Sequence, residues 1–217
     1  MRSLLDFLPF YSAVAELIML QGFLWAVLPL VAASLMGLEV TEIPVMGGRG
    51  KTFQVFGHTF KVGWQPFSTS IKLALGDQVP PVKWAVVNLI CLVSLMLIGW
   101  ASLGIGGWSH LAGTVFGTAG GALMHPIASG AVQLEKFCLL AEHSQLRALG
   151  VLCTIFFMVD LLPLPGITAV GRALKGVVPT NVYTNLTAIS VLATAWPIVA
   201  VAVAYVSLVV KILKQLG

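Results

Sequence analysis

Residues 146–165 read LRALGVLCTIFFMVDLLPLP, and this stretch shows the pattern that decides the fold. It is almost wholly apolar as far as Asp160, and Pro163 and Pro165 then interrupt any helix that the apolar run forms. A helix needs about 20 apolar residues to cross the hydrocarbon layer of a bilayer. We therefore predict a membrane-spanning helix here, with an unwound end.

Similar apolar runs lie on both sides of this stretch, at 11–36, 84–105 and 186–210. The composition agrees with them, because 58% of the residues are hydrophobic, 9% are charged and the mean hydropathy is +0.97. An ordinary soluble chain carries about 25% charged residues. These values exclude a soluble domain, a disordered tail and a coiled coil, and three cysteines are too few for a disulfide scaffold. The basic residues are dispersed, so no nucleic acid partner is expected.

A glycine-rich segment occupies 108–131, where Gly113, Gly117 and Gly121 recur every four residues. Residues with this spacing fall on one face of a helix, and small side chains there let a neighbouring backbone approach closely. We predict a membrane helix, either a fifth span or a re-entrant one, with the three glycines as its packing face.

The region 38–75 differs in kind, because Leu38–Ile43 and Phe53–Val62 alternate apolar with polar residues. Alternation with a period of two predicts strands. We expect a small β-hairpin or meander, with turns at Gly47–Gly50 and Gly57–His58. The predicted fold class is thus an all-α polytopic membrane protein with a small β-hairpin insertion, forming one domain of four to five transmembrane helices.

Basic residues set the expected orientation in the membrane. The region between the first two predicted spans carries Arg49, Lys51, Lys61, Lys72 and Lys83. The positive-inside rule places this region in the cytoplasm and the N-terminus outside. We expect an integral protein of a bacterial inner membrane. If the glycine segment crosses the membrane, four further basic residues become cytoplasmic, namely Lys136, Arg147, Lys211 and Lys214. The positive-inside rule therefore favours five spans.

Two stretches resemble the site-2 protease family of intramembrane zinc metalloproteases. Val31–Leu38, followed by Glu39 and Glu42, is similar to the small-residue run and strand that follow the family's first core helix. Asp160–Ile167 is similar to the first half of the family motif Asn-Leu-Leu-Pro-x-Pro-x-Leu-Asp-Gly-Gly. The resemblance covers most of the chain and implies the family's helical core.

The positions that carry the family's chemistry hold other residues. The His-Glu-x-x-His positions are occupied by Trp25, Ala26, Val27, Leu28 and Pro29, and the third ligand, an aspartate, falls at Thr168. Catalytic zinc needs three ligands drawn from histidine, cysteine and carboxylates, and the glutamate must accept a proton. The Ala-Gly-Pro start of the family's middle helix is also absent, at Leu89–Leu92. The resemblance implies a non-catalytic relative without zinc, for which no cofactor is expected.

Other polar residues leave alternatives open. His58, His110, His125 and His143 include no pair with the spacing that puts two ligands on one helix face, so a rebuilt zinc site is not predicted. His110 and His125 are candidates for binding haem or a pigment, and bound lipid is also open. Glu16 and Asp160 lie within predicted spans. Two interpretations stay open for them: a path for protons, or structural contacts at helix ends.

Three functions follow from these observations. The first is an accessory or scaffold subunit that packs against transmembrane helices of a larger membrane complex, such as an energy-transducing one. Its partners would be membrane proteins, bound through helices and the hairpin edge, together with the lipid bilayer. The second is an unorthodox intramembrane metalloprotease, and the third is a small transporter or proton conductor that uses Glu16 and Asp160.

Overall fold

The computed structural model describes residues 8–65, 71–74, 79–124, 126–164, 168–175 and 177–190, together with 206 and 210. Within them the chain is mostly helical and has one small sheet. The chain divides into two compact units. We call them the terminal unit (Met1–Ala15, Ile98–Ile155 and Ala188–Gly217) and the central unit (Glu16–Leu97 and Phe156–Thr187).

Two helices among the described residues are long and apolar enough to cross a membrane. One is α1, Leu8–Leu35, and the other is the segment Pro81–Leu111 of α2. They match the apolar runs predicted at 11–36 and 84–105. The run predicted at 146–165 forms α4, Gln145–Asp160, which has 16 residues and is short for a span. Most of the run at 186–210 lies outside the described residues.

Helix α2 extends from Pro81 to Met124 and joins two segments that the sequence analysis treated as separate. At Gly104 the backbone leaves the helical conformation, with φ 73° and ψ 162°, a region open to glycine. The glycine-rich segment is helical from there to Met124, and α3 continues from Pro126 to His143. A short helix α5, Ala169–Leu174, follows α4, and residues 180–190 are also helical.

The predicted hairpin is present and consists of β1, Val40–Val55, and β2, His58–Gln65. A third strand, β3, Lys72–Leu73, pairs antiparallel with the start of β1, and the strand order is β2-β1-β3. The chain reverses at the turn predicted at Gly47–Gly50, because residues 42–47 pair with β2 in the same direction and residues 50–55 pair with it in the opposite direction. A Cβ atom at Gly50 would overlap the Val62 carbonyl oxygen, so glycine here serves the close approach of two strands.

The chain reverses at Phe56–Gly57, one residue earlier than predicted. Both residues have positive φ, 48° and 80°. A two-residue hairpin loop favours this combination because its backbone twist matches that of the flanking strands.

Each unit has its own apolar core. In the central unit the end of α1 packs with the sheet and the start of α2, through Ala26, Ala33, Val40, Ile43, Ile71 and Val87. In the terminal unit Ala13, Ala141 and Ala148 pack with Phe137 and Leu152. Small residues therefore let the described helices approach closely in both units.

Candidate functional site

The residues at the predicted His-Glu-x-x-His positions lie in the interior of the central unit. Trp25 is 4% exposed and Ala26 is 6% exposed, and Pro29 is also buried. Pro29 has no N–H group, so the Trp25 carbonyl receives no helical hydrogen bond from it. The region that would hold a zinc ion in the resembling family is thus a packed part of α1.

A buried arginine covers Trp25. The guanidinium carbon of Arg172 lies 4.0 Å from the centroid of the Trp25 ring. Arg172 belongs to α5 and is 9% exposed. Burial lowers the pKa of Arg172 to about 10, while the charge of Asp160 acts in the opposite direction, so the guanidinium stays charged at neutral pH. A cation placed over an indole in a desolvated site is stabilised by about 2 kcal/mol.

Thr168 holds the start of α5. Its hydroxyl accepts hydrogen bonds from the N–H groups of Gly171 at 3.1 Å and Leu164 at 3.2 Å. It donates to the Leu162 carbonyl at 2.5 Å. A hydroxyl has one hydrogen and two lone pairs, so these contacts use its whole capacity. Thr168 is therefore a helix N-cap, the role that threonine often takes.

Asp160 and Trp84 fix the same helix from two other directions. The Asp160 Oδ1 atom accepts a hydrogen bond from the Ala169 N–H at 3.2 Å. Trp84, on α2, donates its indole N–H to the Arg172 carbonyl at 2.9 Å. Asp160 is 7% exposed, and its charge also attracts the Arg172 guanidinium. These contacts orient α5 so that Arg172 reaches Trp25.

Further polar side chains share this interior. The Asn88 amide donates to the Trp84 carbonyl at 2.9 Å, and the Cys91 thiol donates to the Leu24 carbonyl at 3.6 Å. Several buried polar atoms have no hydrogen-bond partner within the described part of the chain. They are Gln21 Oε1, Trp25 Nε1, Asn88 Oδ1 and Asp160 Oδ2.

This arrangement does not fit a zinc ion. The indole of Trp25 has no lone pair to give, Ala26 and Pro29 carry no donor atom, and Thr168 is committed to the backbone. The Arg172 guanidinium would also repel a divalent cation beside Trp25. Within the ranges that the structure describes, no group of three histidine, cysteine or acidic side chains could hold a metal ion.

The histidines that the structure describes lie on three different elements. His58 is half-buried on β2, and His110 is exposed on α2. His143 is exposed at the end of α3, where its Nδ1 atom lies 2.8 Å from the Leu139 carbonyl oxygen. His125 falls outside the described residues. Binding of haem or a pigment by His110 or His125 stays a prediction.

Gly113, Gly117 and Gly121 all lie in α2, as predicted, but the packing role remains untested. Gly113 is exposed, and among the described residues no atom outside its own helical turn lies within 4 Å of where its Cβ would be. The close helix contacts occur instead at Gly99 and Gly150, which the sequence analysis missed. A Cβ at Gly99 would lie 2.7 Å from Thr154 Oγ1, and one at Gly150 would lie 2.5 Å from Ser102 Cβ.

Arg172 is the residue of this site that the sequence analysis did not find. Its only signal was its place four residues after Thr168, which the sequence comparison aligned with a ligand of the resembled family. Glu16, the other acid singled out, is half-buried on α1. No family model, curated protein or solved structure matches the chain.

Proposed function

We propose that this chain is a non-catalytic, site-2-protease-like integral membrane protein that serves as an accessory or scaffold subunit of a larger membrane complex. The observation that supports the proposal is the stacking of Arg172 on Trp25, 4.0 Å from its ring centroid, at the position of the degenerate motif. A guanidinium and an indole occupy the place of the ligands. The helical frame is thereby kept without groups that activate water.

Two features of the described residues support docking of other membrane proteins. Helix α2 leaves Val86, Val93, Leu97 and Ile105 exposed, and Gly113 offers a site of close approach further along. The second arm of β1, residues 50–55, pairs with β2 alone among the described strands, so its outer edge is available for strand addition. We infer that partner helices pack against α2 and that the hairpin edge binds an extended segment.

Purification in native-lipid nanodiscs, followed by mass spectrometry, tests this function. We expect a defined complex with constant stoichiometry. Gly113→Leu should remove the partner while leaving the level of the chain unchanged, because the added side chain blocks close approach. Thr114→Leu is the matched control, since it adds bulk about 100° around the same helix. A chain that purifies alone as a monomer would contradict the proposal.

The protease alternative is tested by metal analysis of the same material, combined with cleavage assays on membrane-protein substrates. The scaffold proposal predicts no bound zinc and no cleavage. Stoichiometric zinc together with cleavage would overturn it.

A proton conductor is a second candidate, because the buried Asp160 carboxylate has an oxygen, Oδ2, without a hydrogen-bond partner within the described residues. Proteoliposomes that contain a pH-sensitive dye would report proton flux. Conduction predicts that Asp160→Asn and Glu16→Gln each abolish flux in a folded protein. The scaffold proposal predicts no flux in the parent chain, and therefore no effect of either substitution.

A further inference from the structure

The interior of the central unit contains four polar side chains, each with one atom that has no hydrogen-bond partner in the described part of the chain. These atoms are Gln21 Oε1, Trp25 Nε1, Asn88 Oδ1 and Asp160 Oδ2. The four residues are between 2% and 7% exposed. A buried polar group without a partner is destabilising, so groups of this kind in proteins usually bind ordered water.

Contacts within the unit connect three of these residues to Arg172. The Arg172 guanidinium carbon lies 4.0 Å from the Trp25 ring centroid, and the charge of Asp160 attracts the guanidinium. The Arg172 carbonyl accepts a hydrogen bond from the Trp84 indole, and the Trp84 carbonyl accepts one from the Asn88 amide. The side chains of Trp25, Asn88 and Asp160 therefore belong to one cluster around Arg172.

Helices α1 and α2 meet at this cluster. Gln21 and Trp25 are four residues apart on α1 and share one face of it. Asn88 and Cys91 are three residues apart on α2 and likewise share a face. The Cys91 thiol lies 3.6 Å from the carbonyl oxygen of Leu24, the residue before Trp25. The four unpartnered atoms are thus distributed over the contact of α1 with α2 and the nearby Asp160.

The chemistry of these atoms identifies what binds them. The Trp25 indole nitrogen can only donate a hydrogen bond, whereas the other three atoms are oxygens that accept. An anion could accept from the indole but would leave the three oxygens without a donor. A cation would be repelled by the Arg172 guanidinium. The ligand must therefore be small and neutral, and it must both donate and accept, which are the properties of water.

We propose that the interior of the central unit is a binding site for ordered water, which accepts the Trp25 indole N–H and donates to the oxygens of Gln21, Asn88 and Asp160. A water molecule has two hydrogens, so the three acceptors require more than one molecule. Bound water would also compensate the Asp160 carboxylate for part of its lost solvation. The inference requires neither a protein partner nor proton flux, so it does not depend on the proposed function.

Nuclear magnetic resonance of the full chain in nanodiscs, with nitrogen-15 in its six tryptophans, tests this site. Rotating-frame cross-peaks between water and the indole hydrogens report water in direct contact, and their sign separates contact from hydrogen exchange. Trp84 is the matched control, because its indole N–H already binds the Arg172 carbonyl at 2.9 Å. Trp25→Phe and Trp84→Phe assign the two signals.

We expect a water contact at the Trp25 indole and none at the Trp84 indole. Gln21→Leu combined with Asn88→Leu removes two of the three acceptors and should abolish the contact at Trp25. Ser94→Ala is the control for these substitutions, because the Ser94 hydroxyl lies on the same helix as Asn88 and donates to the Cys91 carbonyl instead. It should leave the water contact unchanged.

Four results would overturn the proposal. The first is the absence of a water contact at Trp25 in the folded parent chain, a result that needs no change to the acceptors. The second is contact of the Trp25 indole with acyl-chain hydrogens, which would place lipid there instead. An equally strong water contact at Trp84 would show that water reaches indoles that already have an acceptor. Survival of the Trp25 contact in the folded double variant would remove the role assigned to Gln21 and Asn88.

Discussion

At the scale of single residues, Trp25 and Arg172 carry the site. The Arg172 guanidinium is buried and lies over the Trp25 indole. The negative charge of Asp160 attracts it. Its location is a consequence of α5, whose first turn is capped by Thr168 and whose Arg172 carbonyl is bound by Trp84. A charge in an apolar interior is tolerated when such compensating contacts surround it.

Loss of the Trp25 ring should be costly. Trp25→Ala removes the surface on which the guanidinium rests and leaves a cavity, so we expect the free energy of unfolding to fall by about 3 kcal/mol or more. Trp25→Phe retains an aromatic face and should cost less. Phe23→Ala is the control, because Phe23 is 61% exposed on the same helix. Unfolding in mixed micelles with increasing SDS measures all three, and equal losses at positions 23 and 25 would contradict the structural role of Trp25.

Removal of the Thr168 hydroxyl should weaken the start of α5. Thr168→Val keeps the size of the side chain but removes the hydroxyl that accepts from the Gly171 N–H, at a cost of about 1–2 kcal/mol. Thr184→Val is a matched control, because the Thr184 hydroxyl donates only to the Thr180 carbonyl in its own exposed helix. The SDS-unfolding midpoint should fall for position 168 and stay nearly constant for position 184. The reverse order would refute the cap.

At the scale of elements, two glycines matter in a way that their spacing along the chain does not reveal. Gly99 on α2 and Gly150 on α4 are far apart in sequence but lie where these two helices touch. Gly113 belongs to the regular series of glycines, and within the described part of the chain no residue outside its own helical turn lies within 4 Å of where its Cβ would be. Close approach at Gly99 and Gly150 therefore depends on which helices meet, and the packing role of the periodic glycines stays a prediction.

This difference predicts opposite effects of the same substitution. Gly150→Ala should destabilise the chain, because the new Cβ would lie 2.5 Å from Ser102 Cβ on another helix. Gly113→Ala should be neutral or stabilising by up to about 1 kcal/mol, since it meets open space and lowers the entropy of the unfolded chain. Thermal unfolding in detergent compares the two. A stable Gly150→Ala chain would show that the contact between α2 and α4 is looser than the structure indicates.

At the scale of the whole molecule, orientation in the membrane is the property that charge distribution governs. Four basic residues lie between the two candidate spans, at Arg49, Lys51, Lys61 and Lys72, and Lys83 lies in the first turn of the second span. Retention of positive loops in the cytoplasm would place the hairpin inside the cell. Within the hairpin, Gln54 is exposed, so it can report the location of the loop.

Labelling of introduced cysteines with a membrane-impermeant maleimide tests this orientation. Gln54→Cys should react only after the membrane is disrupted, because the hairpin is expected on the cytoplasmic side. Ser3→Cys, near the N-terminus, should react in intact cells. Reaction of Gln54→Cys in intact cells would show that the orientation is inverted.

The sequence by itself determined the apolar helices α1 and α2 and the hairpin between them. These elements are encoded by local patterns, namely long apolar runs and alternation with a period of two. It also indicated the reversal at Gly47–Gly50, where the pairing of β1 with β2 changes direction. The run at 146–165 was predicted as a span, whereas the structure shortens it to the 16 residues of α4.

Only the tertiary structure decided what surrounds Trp25 and Thr168. The sequence indicated that Trp25 and Thr168 lack the chemistry of zinc ligands, but it gave no indication that Arg172 would stack on Trp25. That contact joins residues far apart in the chain and depends on the loop that Asp160 and Thr168 hold together. Local patterns specify which elements form because they act over a few residues. The position of a single buried charge is specified by all the elements that pack around it.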